Sequence, residues 1–459
     1  MIREINSKVI VRIVILLLLG VLPLASKCWA TIYYVDSTSV ASDGNTGLDE
    51  SSPWRTISKA AAIAKAGDIV YVKNGIYYET SEVRINNSGR EGFPVMFQAY
   101  TGHSPIIDGS ESTASKLIHI RGKDYIILDG FEITNAYKYA VWVDGSNNII
   151  RNNRIHDNGR DGGYRNGITL KAEVGAGLHN TITRNVVYSN AWNGISVENC
   201  NYTTISYNTS YDNGHQGVNV FPNTTGFTGI EEENNITFNI TFQNEESGIY
   251  TRYQSNNQVS NNLVYENGQW GIFLAGGGSG NPGSGNAYRS NTKIYNNTIV
   301  NNGYDGLYIH TGSHVTVKNN LFYKNNHAPA WPEGDGKANL RVGNIDGCVI
   351  DHNFYVEYPN TTGPFYFNTD MTLAAWQGRG FDVHGISEGT AGFTDLENDI
   401  YTLNSNSDAI DAGVDLLSEG ITQDIDGVSR PQGVGFDIGG CESPFGISPA
   451  PPTNLRIRQ

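Results

Sequence analysis

From residue 141 onward the chain repeats one short alternation of apolar and other residues: Val141-Trp142-Val143, Ile168-Thr169-Leu170, Ile195-Ser196-Val197, Val218-Asn219-Val220, Ile249-Tyr250-Thr251, Ile272-Phe273-Leu274 and Leu307-Tyr308-Ile309. A glycine stands just before each of the last six, at Gly167, Gly194, Gly217, Gly248, Gly271 and Gly306. Period two, β-branched and aromatic enrichment and glycine at the corner predict short strands rather than helices. A second strand runs into and past an asparagine, as in Thr181-Ile182-Thr183-Arg184-Asn185-Val186-Val187-Tyr188. That asparagine recurs at Asn153, Asn185, Asn208, Asn239, Asn262, Asn297, Asn320 and Asn353, at intervals of 32, 23, 31, 23, 35, 23 and 33 residues. Five residues after each of the first seven stands another, at Asn158, Asn190, Asn213, Asn244, Asn267, Asn302 and Asn325. A basic coil of 23 residues with insertions of varying length predicts a solenoid. Stacked coils place like residues about 4.8 Å apart, so buried asparagine amides satisfy one another up and down a column. The asparagine columns are therefore architecture rather than chemistry.

A solenoid has open ends that must be covered. After Ser52-Pro53, the residues Ile57, Ala60, Ala61 and Ala64 recur at helical spacing until Gly67, which predicts a small amphipathic capping helix. Thr372-Leu373-Ala374-Ala375-Trp376 predicts another short helix, with residues 391–445 as the terminal cover. The expected organisation is a cleaved leader over 1–30, a cap with first coils over 31–114, repeats over 115–370, a C-terminal cap over 371–445 and a Pro-rich tail over 446–459.

The leader expectation rests on Arg3, Lys8 and Arg12 ahead of an apolar run from Ile13 to Leu22, with a small residue at Ala30. An uncleaved anchor is the alternative, although that run is short for a bilayer. Without the leader the chain holds 27 basic and 45 acidic residues, a net −18. Such acidity argues against a nucleic-acid partner. It also disfavours long-range capture of polyanionic sugars unless calcium or a local basic patch intervenes. The expected protein is secreted or at the cell surface, monomeric, and not inserted in a membrane once the leader is removed. Cys200, Cys348 and Cys441 are scattered and odd in number, so disulfides are not its strategy and no zinc spacing is present.

Function must come from side chains that leave the stack. By strand alternation one outward column reads Trp142, Thr169, Ser196, Asn219, Tyr250, Phe273, Tyr308 and Arg341. Two positions on, a second column holds Asp144, Lys171, Glu198, Phe221, Arg252, Ala275, His310 and Gly343; before the strand, a third includes Arg165, Trp192, His215, Glu246 and Tyr304. Trp142, Trp192, Tyr250, Phe273, Tyr304, Tyr308 and His310 are candidates for stacking on sugar rings. Lys171, Arg165, Glu198, Asp144, Arg252 and His215 are the candidate catalytic groups. For elimination, Lys171, Arg165, Arg252, His215 and Tyr250 could neutralise a uronate or remove the proton beside its carboxyl. For hydrolysis, Asp144 and Glu198 are two coils apart, about 9.6 Å, at the edge of the range for an inverting pair. Lys171 between them reads more simply as an Asp–Lys–Glu ladder.

Taken together, the chain resembles right-handed parallel β-helix proteins of the pectate-lyase-like superfold over residues 31–445. Tyr33-Tyr34-Val35-Asp36, Asp43-Gly44, Ser52-Pro53-Trp54-Arg55-Thr56-Ile57 and Ala66-Gly67-Asp68 look like the opening segment of secreted members. Ala409-Ile410-Asp411-Ala412-Gly413, Asp424-Ile425-Asp426-Gly427, Arg430-Pro431 and Asp437-Ile438-Gly439 are similar to the closing segment of bacterial surface β-helix proteins. The resemblance implies an all-β right-handed parallel β-helix acting on or holding a polysaccharide, with calcium as a possible cofactor. One pectate lyase family binds calcium through an Asp-Gly turn and an Asp-Asp-Gly-Trp-Asp run and uses a lysine base; the aligned positions here are Asn166-Gly167, Trp192-Asn193-Gly194-Ile195-Ser196 and Gln216-Gly217-Val218-Asn219, which lack both. Three functions stay open on the sequence: a uronate lyase, an inverting glycoside hydrolase, and a surface or adhesive protein that holds glycan without cleaving it.

Overall fold

The structure, a computed structural model, describes residues 30–172, 177–221, 233–252, 256–275, 290–310, 312–326, 338–358 and 363–444. The expected leader up to residue 29 and the tail from 446 lie outside the described residues, and no described helix is long and apolar enough to cross a membrane.

Successive coils supply short strands to three sheets, of 12, 11 and 12 strands, parallel throughout except for the last pair of the third, Phe365–Tyr366 with Asp370–Met371. A representative coil gives Ile149–Arg151 to the first sheet, Arg154–His156 to the second and Ile168–Lys171 to the third. The chain is a right-handed parallel β-helix, all-β apart from its short helices. Inward positions form unbroken apolar files: in the third sheet Val141, Ile168, Ile195, Val218, Ile249, Ile272, Leu307 and Leu340 are in register, and all are fully buried. The recurring glycine is required by the closeness of the coils. A Cβ on Gly194 would sit 2.2 Å from Ser210 Oγ and 2.9 Å from the Gly217 carbonyl oxygen.

The corner between the first and second sheets is a single residue in the left-handed region: Asn152, Arg184, Tyr207, Phe238, Asn261, Asn296, Asn319 and His352. That conformation costs a residue with a Cβ roughly 1–2 kcal/mol. The asparagine immediately after it supplies the compensation. The main-chain N–H and Nδ2 of Asn185 both donate to Asn208 Oδ1 at 3.0 Å, and Asn208 donates in the same way to Asn239 Oδ1 at 3.0 Å. The Nδ2 atoms also reach Ile150 and Ile182 carbonyls of the preceding coil, so these amides are satisfied within the protein. The ladder ends on an acid: Asn353 donates to Asp382 Oδ1, and the Tyr355 hydroxyl donates to Asp382 Oδ2 at 2.8 Å. A last rung has no further amide to donate to, so an acceptor-only side chain suffices; burial raises its pKa to about 6. A third polar series, five residues before the first, went unread in the sequence: the Asn148, Thr203 and Asn234 main-chain N–H groups donate to Asn180, Asn234 and Asn257.

The N-terminal helix, α1, spans Ile57–Ile63, is capped by Thr56, and buries Ile57, Ala60 and Ala61, with Ala64 buried at its C-cap. The far end is closed by a second helix, α2, at Leu373–Gln377, whose buried Trp376 stacks between Phe365 and Phe381. The chain beyond 391 departs from the expected terminal cover. It runs back along the corner between the first and second sheets: Asn296 Nδ2 donates to the Asp437 and Gly439 carbonyls, Asn319 Nδ2 to the Val414 carbonyl, and Gln423 reaches the Tyr207 hydroxyl. The physical reason is that the corner asparagines still have amides to satisfy, while Trp376 already fills the open end.

Candidate functional site

The outward column of the third sheet is in file as expected. Trp142, Thr169, Ser196, Asn219, Tyr250, Phe273, Tyr308 and Arg341 are successive register partners, continued upstream by His119 and Arg84 and downstream by Tyr366. Not all of it meets solvent. Thr169 and Ser196 are fully buried and Asn219 nearly so, and the Ser196 hydroxyl and Asn219 Oδ1 have no hydrogen-bond partner among the described residues. The expectation of one continuous exposed wall is corrected here. It is interrupted at its middle, because small polar side chains cannot project past their neighbours.

Most of the expected catalytic groups engage one another or near neighbours. Lys171 and Glu198 are register partners and form an ion pair. Asp144 does not complete that ladder. It leaves the strand and accepts from His119 Nε2 at 3.2 Å and from the Gly122 N–H, while His119 Nδ1 faces Glu82 at 3.0 Å. Burial pushes the Asp144 carboxyl up, but the contacts with His119 and Gly122 outweigh it and hold it below the usual range. Arg165 is tied to Asp161 at 3.0 Å and lies over the Tyr139 ring. His215 stacks on Trp192 with centroids 3.6 Å apart and pairs with Glu246 at 2.8 Å. Arg252 faces Ala275 in register and is half-buried.

Downstream the wall changes character. Phe273 and Tyr308 stack in parallel at 4.9 Å, with Trp270 4.5 Å from Phe273 and Tyr250 edge-on to Phe273 at 5.4 Å. Tyr304 lies edge-on to Trp270 at 5.5 Å. The Arg341 guanidinium lies 4.6 Å from the Tyr308 ring centre and 4.9 Å from that of Tyr366. His310 sits 5.4 Å from Tyr308. Burial, reinforced by the Arg341 charge, depresses the His310 pKa, so its imidazole stays neutral at pH 7. Beneath them lies Asp305, which sequence reasoning missed. It is buried, and burial raises its pKa to about 7 against the opposing pull of Arg341, the Ala338 N–H and the Trp270 indole. Its Oδ1 accepts from Ala338 N at 2.7 Å, the bond that Asn193 Oδ1 makes with Gln216 N at 3.1 Å in an earlier coil. A carboxylic acid thus stands where other coils use an amide. The readable signal was an acid directly before a glycine, at the position of Asn166, Asn193 and Gln216.

On this wall the carboxylates Glu82, Asp144, Glu198 and Glu246 each face a histidine or lysine, rather than grouping as the oxygen donors that a calcium ion takes. The Asp424-Ile425-Asp426-Gly427 turn is also filled: Asp424 accepts from the Asp426, Val428 and Glu442 N–H groups. A hollow on the outer face of the first sheet, between Tyr202, Asn256 and Lys293, is polar and lies apart from this wall.

Three family models match successive parts of the chain: a Pel9A-like right-handed β-helix region over 33–173, a right-handed β-helix region over 165–286, and periplasmic copper-binding protein (NosD) over 232–371. Uncharacterized protein YwoF of Bacillus subtilis is 34% identical over 25% of this chain and 26% of that protein. Pectate lyase PEL9 of Emericella nidulans is 29% identical over 27% of this chain and 32% of that protein. The chain thus spans about a quarter to a third of the length of the curated relatives it matches. The solved structure of pectate lyase Pel9A superposes with a TM-score of 0.62 at 17% identity, over 90% of this chain and 96% of that one. What the files of apolar residues, the amide ladders and these likenesses establish in common is the right-handed parallel β-helix.

Proposed function

We propose that this chain is a secreted protein that binds an acidic polysaccharide along the third sheet and cleaves it by β-elimination at the downstream end of that wall. The observation that carries the reading is the group Arg341, His310 and Tyr308: a cation over aromatic rings in the outward column, beside an imidazole kept neutral by burial. Elimination from a uronate needs a positive charge against the carboxylate and a base for the adjacent C–H proton. Arg341 offers the charge and His310 the base. The proton passes from C5 to His310, the C4–C5 double bond forms, and the C4–oxygen bond breaks with its oxygen protonated by the Tyr308 hydroxyl or by water. Phe273, Trp270 and Tyr250 offer rings for the flanking sugars. The pectate lyases among the similar proteins support the substrate class.

The test is to incubate the mature chain with a panel of polyuronates and neutral polysaccharides, following unsaturated products by ultraviolet absorbance and new reducing ends separately. Unsaturated ends from a polyuronate support the reading. Reducing ends without unsaturation indicate hydrolysis, and retention on a glycan gel with neither indicates binding alone; both outcomes overturn it.

A further inference from the structure

Away from the third sheet, at the corner where the last coil meets the C-terminal closure, three side chains converge. Asp351 ends the first-sheet strand Val349–Asp351, His352 is the left-handed corner residue that follows it, and His384 belongs to the segment after α2. Asp351 Oδ2 lies 2.9 Å from His384 Nδ1 and 3.3 Å from His352 Nδ1. One ligand-capable atom from each of the three lies within 4.8 Å of the others, the one such group of three among the described residues. His352 Nδ1 is buried and has no hydrogen bond of good geometry among the described residues, although a carboxylate oxygen lies 3.3 Å away. The arrangement is held from behind: Asp351 Oδ1 accepts the main-chain N–H groups of His352 and His384, and the two imidazoles stack at 4.6 Å.

We propose that Asp351, His352 and His384 bind a divalent transition metal of the zinc or copper class. Zinc–nitrogen bonds of about 2.0–2.1 Å place neighbouring ligand atoms about 3.3–3.4 Å apart in a tetrahedron, the spacing that His352 Nδ1 already has from Asp351 Oδ2 at 3.3 Å, with His384 Nδ1 at 2.9 Å from that oxygen. Two imidazoles and one carboxylate are a borderline donor set, suited to zinc, copper or nickel and poor for calcium or magnesium. Lys318, the register partner of Asp351, adds a positive charge that further disfavours a metal bound chiefly by charge. Three protein ligands leave a position for water. Because His384 comes from the closing segment and the other two from the last coil, the metal fastens the closure onto the helix end.

The test is titration of the chelator-stripped, full-length protein with zinc by calorimetry, with copper as a second probe and calcium as control. The expected result is one equivalent of zinc bound with a dissociation constant of about 10 µM or tighter, and an unfolding midpoint that rises with zinc. His384→Ala removes an exposed ligand, and His352→Asn keeps a residue that tolerates the left-handed corner. Each is expected to weaken zinc binding at least about tenfold while leaving the metal-free midpoint near that of the parent protein. Failure to bind zinc or copper overturns the proposal, as does binding that survives both substitutions.

Discussion

Between His119 and Glu246 the outward wall of the third sheet sets histidines and cations against carboxylates, whereas between Trp270 and Tyr366 it buries an acid and an imidazole beside Arg341. Lys171 with Glu198, Arg165 with Asp161 and His215 with Glu246 are each a cation or histidine beside a carboxylate. Each such pair holds two side chains of the wall against one another. Downstream, Asp305 and His310 are shifted chiefly by burial, the acid up and the imidazole down, with Arg341 beside both. Two stretches of one sheet, built on the same register, thus differ in what their ionisable groups can do. Groups shifted by burial mark a functional site more readily than ordinary surface ones do.

The contrast can be broken most directly at Arg341. Arg341→Ala is expected to lower kcat/KM on a polyuronate by about 100-fold or more, the size of losing a charge that stabilises a developing anion. Equal activity in this variant would move the chemistry upstream. Next in size is Asp305→Asn. The folded protein holds the Asp305 proton that the unfolded chain has already lost between the ordinary pKa of 3.8 and about 7, so this group costs stability increasingly as pH rises through that window. The substitution is expected to be near neutral at pH 4 and to raise stability at pH 8, by about 4 kcal/mol at most. Denaturant midpoints at the two pH values read this, and a variant less stable than the parent at pH 8 contradicts the burial of a charged acid.

His310 sharpens the comparison through pH alone. Its lowered pKa places the acid limb of kcat below the ordinary histidine value of 6.5, and His310→Ala should abolish that limb together with most of the activity. A limb at or above that value would mean that another group titrates. The smallest effect belongs to the upstream stretch. Lys171→Ala is expected to cost about 1 kcal/mol or less, the usual worth of a partly exposed pair, as read by thermal unfolding.

Much of this molecule was legible because a solenoid writes its geometry into its period. The alternation at Gly194-Ile195-Ser196-Val197, the asparagine intervals and the apolar face of Ile57, Ala60, Ala61 and Ala64 each followed from local rules. What escaped is what breaks the period. Asp382 ends the first ladder from 29 residues beyond Asn353, inside a closure with no repeat of its own. Glu82 belongs to the opening coils before the asparagine series begins, so nothing marked it as the partner of His119 and, through it, of Asp144. Thr169, Ser196 and Asn219 were correctly placed outward, but alternation gives direction and not exposure. Asp305 escaped because an acid before a glycine is also an ordinary turn sequence, and only its burial sets it apart.

The central claim is that the downstream group, and not the upstream one, performs the chemistry. Steady-state kinetics of Arg341→Ala and Lys171→Ala, measured side by side on the same polyuronate, compare the two stretches directly. The account predicts a loss of about 100-fold or more in the first and a change of no more than about twofold in the second; the reverse order, with both variants folded, would contradict it.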